Sequence, residues 1–174
     1  MAETKYGKYI ITERKTDIKL PEYRRGSMEA PADMATLTAF LDGEVIKGAF
    51  YIECVWFWHG SDIVGVDAHE HDYNEVVAFF GTNPQDVKDL GGEIEMWLGD
   101  EKYILTKSCL VFVPKGLKHC PLIIRKVNRP IFHFAVATSG IYKLAWTKVM
   151  DGDYKHNQSR DKGCRSKILE LIQN

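Results

Sequence analysis

The sequence is short of several things, and each shortage removes a class of protein. Its longest apolar stretch, residues 49–58, is interrupted by Glu53 and falls short of the ~20 residues that a membrane-spanning helix needs. The first residues are polar and mixed, without the apolar centre of a secretion signal, so a cytoplasmic location and no membrane partner are expected. Neither sign of charge is in excess. The 23 basic and 24 acidic residues leave a net charge of -1, which argues against a phosphate-binding surface and against nucleic acid as a partner. The four cysteines, Cys54, Cys109, Cys120 and Cys164, form no C-x-x-C pair. Neither a zinc knuckle nor a dithiol redox motif is indicated, and reduced, structural thiols are expected. Repeats and low-complexity stretches are also missing. What remains is a chain of 174 residues, 45% hydrophobic and 27% charged, enough for one domain with its own core.

Turn residues divide that chain. Residues 1–45 read as an N-terminal arm, polar at first, with a short strand over 8–12 and Pro21 and Gly26 as breakers. Pro31 with Met34, Leu37, Thr38 and Leu41 fits one short helix or a strand, and the sequence leaves the choice open. Residues 46–140 carry runs rich in Val, Ile, Phe, Tyr and Trp at 49–58, 63–68, 75–80, 93–98, 102–105, 108–113, 120–127 and 131–138. Short strands punctuated by Gly, Asn, Asp and Pro predict a sandwich or barrel. Gly99, Asp100 and Glu101 suit a hairpin turn. Residues 141–174 read as an extension that ends in a short helix over 166–172, capped by Ser166.

The chemistry is concentrated in a few of the six histidines. His69 and His71 stand two apart, which on extended chain points both rings to one face, and Glu75 follows four residues later. Two imidazoles and a carboxylate suit a borderline divalent metal. Downstream, Pro114 and Gly116 build a turn that delivers His119 to the next run, where a fourth ligand could arrive. His133 lies in the apolar run 131–136. Facing inward it is a candidate acid or base, because its ordinary pKa is near neutral; facing outward it is a packed imidazole. Arg125 shares strand parity with His119 and could meet a substrate oxyanion, or form a solvated basic surface with Lys126 and Arg129. Cys120, directly after His119, is expected to point away from it. Asp67, Glu70 and Asp72 are near the ligand histidines in sequence, but strand alternation turns Glu70 away from the ligand face, and a solvated carboxylate is expected there. Trp56, Trp58, Phe79, Phe80, Trp97, Phe132 and Phe134 are expected mostly in the core, with a few at a pocket mouth. The segment from Gly81 to Gly92 is long enough to carry a binding or lid function.

Together, H-x-H-x-x-x-E (His69, His71, Glu75) and P-x-G-x-x-H (Pro114, Gly116, His119) resemble the paired motifs of the cupin superfamily. The flanking positions depart from it: Gly65 stands one residue too near His69, and Ser108 and Ile123 replace a usual glycine and asparagine. The resemblance implies an all-β, double-stranded β-helix (jelly-roll) barrel. It also implies one divalent transition metal, Fe, Mn, Zn, Ni, Co or Cu, on His69, His71, Glu75 and His119. A small organic substrate and an oxygen-dependent, dioxygenase-type reaction are implied, with His133 as proton carrier. Non-redox isomerase, decarboxylase or lyase chemistry and a non-catalytic ligand-binding role are the alternatives. Cupin barrels commonly pair, so a homodimer is expected.

Overall fold

The computed structural model of the chain describes residues 5–12, 31 and 33–140. The helix expected over 166–172, the rest of the 141–174 extension and most of the N-terminal arm lie outside the described residues. A single 3-10 turn, Gly7–Tyr9, occupies the place of the strand expected over 8–12.

Eight strands come after it. They are β1 (Ala35–Leu41), β2 (Tyr51–Phe57), β3 (Glu75–Gly81), β4 (Asp89–Leu98), β5 (Glu101–Lys107), β6 (Cys109–Val113), β7 (His119–Val127) and β8 (Ile131–Ala137). They form two antiparallel sheets, one ordered β1-β2-β8-β3-β6 and the other β5-β4-β7. The segment left open between helix and strand is therefore strand β1. Its side chains alternate in burial, and it pairs with β2 as the edge of the larger sheet. The boundary drawn at residue 45 between arm and barrel consequently falls inside the barrel's own chain. Gly99 and Asp100 do form the two-residue hairpin between β4 and β5, with Gly99 at φ 62°. A left-handed backbone of that kind is what such a turn requires.

Registry sorts the larger sheet into rows. On the inner face, Tyr51, Ala137, Glu75 and Val113 form one row. Glu53, Ala135, Val77 and Val111 form the next, and Val55, His133, Phe79 and Cys109 the third. Fully buried Phe79, Ile131 and Val113 meet Leu90, Ile94 and Met96 of β4 from the smaller sheet, and this contact is the main core. The outer face is uncharged throughout its rows: Trp56, Phe132 and Phe80; Cys54, Phe134, Ala78 and Leu110; Ile52, Val136, Val76 and Phe112. Trp56 lies against Trp58 at 5.7 Å and Phe132 at 5.0 Å. Most of the aromatics assigned to the core from sequence thus coat the outside, because alternation places their parity opposite that of Phe79.

Residues 63–68 are not a strand. Gly60, Gly65 and the polar residues between them give an irregular course that is tied to β7 at separate points. Ser61 N donates to Ile124 O (2.6 Å), Gly65 N to Leu122 O (3.0 Å) and Leu122 N to Val66 O (3.0 Å). A side chain at residue 60 would stand 2.5 Å from the Arg125 carbonyl oxygen, so the close run against β7 depends on glycine there. The 81–92 connection is pinned, not lid-like. Asn83 and Arg129 both donate to Asp89 Oδ2, at 3.0 and 2.9 Å, and Ser108 Oγ accepts from Gly81 N at 3.0 Å. No helix among the described residues is long and apolar enough to cross a membrane.

Candidate metal centre

The two sequence motifs meet through their backbones. His69 N donates to His119 O at 3.0 Å and His119 N donates to His69 O at 2.9 Å, a reciprocal antiparallel pair. The Pro114–Gly116 turn is held against the first motif as well. Gly116 N donates to His71 O (2.8 Å) and Lys115 N to Asn74 Oδ1 (3.0 Å). Glu75 arrives from the inner face of β3. His69, His71, Glu75 and His119 are all buried.

Ligand atoms of His71, Glu75 and His119 lie within 4.8 Å of one another, as do those of His69, His119 and Cys120. The four candidate ligands are thus brought into two overlapping triads that share His119. Each ring is oriented by a backbone carbonyl at its Nδ1: Asp67 O for His69 (2.8 Å), Tyr73 O for His71 (2.9 Å) and Leu117 O for His119 (3.0 Å). A carbonyl only accepts, so Nδ1 carries the proton in each ring and a neutral ring presents its Nε2 lone pair. Tyr73 also stacks on His71 at 4.1 Å. Among the described residues the carboxylates of Glu70 and Asp72 make no hydrogen bond to these rings, and it is the Asp67 carbonyl that meets His69.

Glu75 Oε2 stands 3.2 Å from His71 Nε2 and 3.4 Å from His119 Nε2. Among the described residues the buried His119 Nε2 has no hydrogen-bond partner. Lone pairs of a carboxylate and two imidazoles brought this close attract one another only through a shared proton or a cation. The donor set therefore fits a divalent transition metal. Three neutral nitrogens and one carboxylate would leave such an ion a net charge near +1, and an octahedral ion would retain open positions.

The same cluster lines an otherwise largely apolar cavity of ≈ 300 Å³ between the sheets, with Leu37, Val55, Phe57, Met96, Leu122 and Ile124 among its walls. His133 does face this cavity, buried and donating from Nδ1 to Ala78 O at 3.0 Å. Arg125 does not. It pairs outside with Glu95 Oε2 (3.0 Å) and Asp62 Oδ1 (2.6 Å), while Lys126 and Arg129 face Glu93 and Asp89. Cys120 overturns its expectation, because it lines the cavity beside His119. Its φ of 65° breaks the two-residue alternation, and the β4–β7 register slips by one between Met96 and Leu98. The same slip turns Leu122 and Ile124 inward and Arg125 outward. Sequence parity also passed over Glu53 and Asn74. Glu53 had a signal, a lone carboxylate at the parity of Tyr51 and Val55 inside an apolar run; Asn74 had none.

Burial pushes the His69 imidazole down to about 3 from an ordinary 6.5, and the neighbouring His119 ring adds to the effect. Burial alone would raise the Glu75 carboxyl, but hydrogen bonds and charge from the facing His119 and His71 rings, when they carry a proton at Nε2, outweigh it and hold the group well below the usual carboxylate range. Both groups bind fewer protons folded than unfolded, so both make stability fall as pH falls. The His69 contribution is complete above pH 6.5 and is lost between pH 6.5 and 3. Denaturant titration of metal-free protein should show a loss of about 1.4 kcal/mol per pH unit across the upper part of that window. The slope should flatten in His69→Gln. A parent chain whose stability is constant from pH 6.5 to 4.5 would contradict this.

No protein-family model and no curated protein matches the chain. Solved structures similar in chain course include an oxalate oxidase in complex with glycolate (13% identity, 64% of this chain and 54% of that chain, TM-score 0.42). Others are a cupin-like protein from Thermotoga maritima (13%, 70% and 82%, 0.43) and a sugar phosphate isomerase of the cupin superfamily from Silicibacter pomeroyi (15%, 72% and 70%, 0.45). The match spans about half the length of the oxalate oxidase. Two motifs far apart in sequence are brought face to face between two antiparallel sheets, an all-β arrangement that fits a cupin-type jelly roll around one buried histidine-rich cluster.

Proposed function

We propose that this chain is a metal(II)-dependent enzyme acting on a small organic molecule through an oxygen-dependent, dioxygenase-type cleavage. The observation that carries the reading is the position of the cluster. His69, Glu75 and His119 form part of the wall of a cavity sized for a small molecule, and so face a ligand as well as one another. A bound divalent ion supplies Lewis acidity at that wall and, where it is redox-active, a place for oxygen. The protein's own groups do the rest. The carbonyls of Asp67, Tyr73 and Leu117 fix the imidazoles. Apolar walls exclude water, and the proton carrier of this reading is His133, which lines the same cavity.

Oxygen-electrode screening of the iron-loaded chain against enolic and phenolic compounds tests the reaction. Uptake that accompanies product formation and disappears in Glu75→Ala is expected. Turnover without oxygen uptake would replace this reading with isomerase or lyase chemistry, and binding without turnover would make the chain a ligand-binding cupin.

We also propose a homodimer, supported by the uncharged outer face of the larger sheet, on which Phe80, Leu110 and Phe112 are exposed. Light scattering should return twice the chain mass. A monomer mass over a wide concentration range would refute it.

A further inference from the structure

The four ligands named by the sequence motifs do not exhaust the donors around His119. One of the two triads that meet there is His69, His119 and Cys120, with ligand atoms within 4.8 Å of one another and all three residues buried. Cys120 follows His119 directly, and on a regular strand the two side chains would point to opposite faces. Here both line the cavity. The cause is local: Cys120 holds φ at 65°, and the pairing of β7 with β4 slips between Met96 and Leu98. Among the described residues Cys120 is the only residue other than glycine with such a backbone. A left-handed conformation carries a steric cost for any side chain with a Cβ, and it persists only where the surroundings impose it. Its result is a sulfur placed beside the two histidines.

His119 supplies an independent observation. It is 1% exposed, its Nδ1 is engaged by Leu117 O at 3.0 Å, and among the described residues its Nε2 has no hydrogen-bond partner. Nε2 is therefore the nitrogen that His119 offers to either triad. An ion held by it is offered an imidazole and a carboxylate by His71 and Glu75, and an imidazole and a sulfur by His69 and Cys120. Ligation does not require an idle thiol. A divalent ion takes the place of the sulfur's proton, which leaves to solvent, and of the contacts made through that proton. Sulfur also changes what the site accepts. Carboxylate and imidazole suit most divalent first-row metals, whereas thiolate favours thiophilic ions such as zinc over manganese. A thiolate added to Glu75 brings the charge of the ligated ion near zero, and an octahedral ion then keeps a single position for an outside ligand.

We propose that Cys120 is a sulfur ligand of the bound metal, so that the centre joins imidazole and carboxylate donors to one thiolate and prefers a thiophilic divalent ion over manganese. This rests on the metal reading above and deepens it, adding a ligand that neither histidine motif contains and a class of metal that follows from it.

The full-length chain loaded with cobalt(II) tests it. Any bound cobalt gives weak visible absorption, and cobalt on a thiolate adds an intense near-ultraviolet charge-transfer band. The parent chain should show both. Cys120→Ala should lose the charge-transfer band and keep the visible absorption, while Cys54→Ser, Cys109→Ser and Cys164→Ser keep both. In Cys120→Ala the affinity for zinc should fall about tenfold or more and that for manganese less than about twofold. Cys120→Gly, which the left-handed backbone accepts, serves should the alanine variant not fold. Visible absorption without the charge-transfer band in the parent, or a band that survives the loss of Cys120, overturns the sulfur ligand and leaves the metal reading intact. Failure of the parent to take up cobalt overturns the metal reading and the sulfur ligand with it.

Discussion

The reciprocal backbone pair between His69 and His119 is the constraint on which the site depends. It clamps an irregular segment to the start of β7, so that two imidazoles far apart in sequence stand with ring centres 4.2 Å apart. No side-chain attraction would hold neutral rings there. Their convergence is imposed by main-chain hydrogen bonds, and the carbonyls of Asp67 and Leu117 then fix which nitrogen each ring presents. Because the orienting oxygens belong to the same short segments as the rings, position and tautomer are set together.

The arrangement leaves a buried glutamate facing two imidazole nitrogens, a combination that favours a cation between them over an empty gap. The larger sheet supplies the other half of the design. Its inner rows place Glu75, Glu53 and His133 on successive steps around small Ala135 and Ala137, which keeps polar groups within reach of one open volume. Bulkier residues on either side, Phe79 and Ile131 among them, close the core beyond it.

The legibility of each segment in the sequence depended on its physics. Runs of β-branched and aromatic residues such as β3 and the regularly alternating β8 were plain, and so was the metal constellation, whose residue types and spacing are themselves the signal. Local pattern failed where non-local bonds took over. Residues 63–68 are rich enough in Val and Ile to look like a strand, yet Gly60 and Ser61 before them and Gly65 within them let them track β7 at isolated points. Counting by twos along β7 failed at Cys120, since a left-handed residue there changes the parity of the positions that follow, up to a second slip between Ile124 and Lys126. Arg125 was thereby exchanged for Cys120 as a cavity neighbour. The aromatic residues were read as core because hydrophobicity does not say which face of a sheet is the inner one; registry does.

The central claim, that the converging histidines and glutamate hold a metal, is tested most directly by elemental analysis of the purified chain, made without a histidine tag or added metal. About one equivalent of a divalent transition metal per chain is predicted, with loss of it in His119→Ala. A parent chain that carries no metal and takes up none on titration would contradict the account.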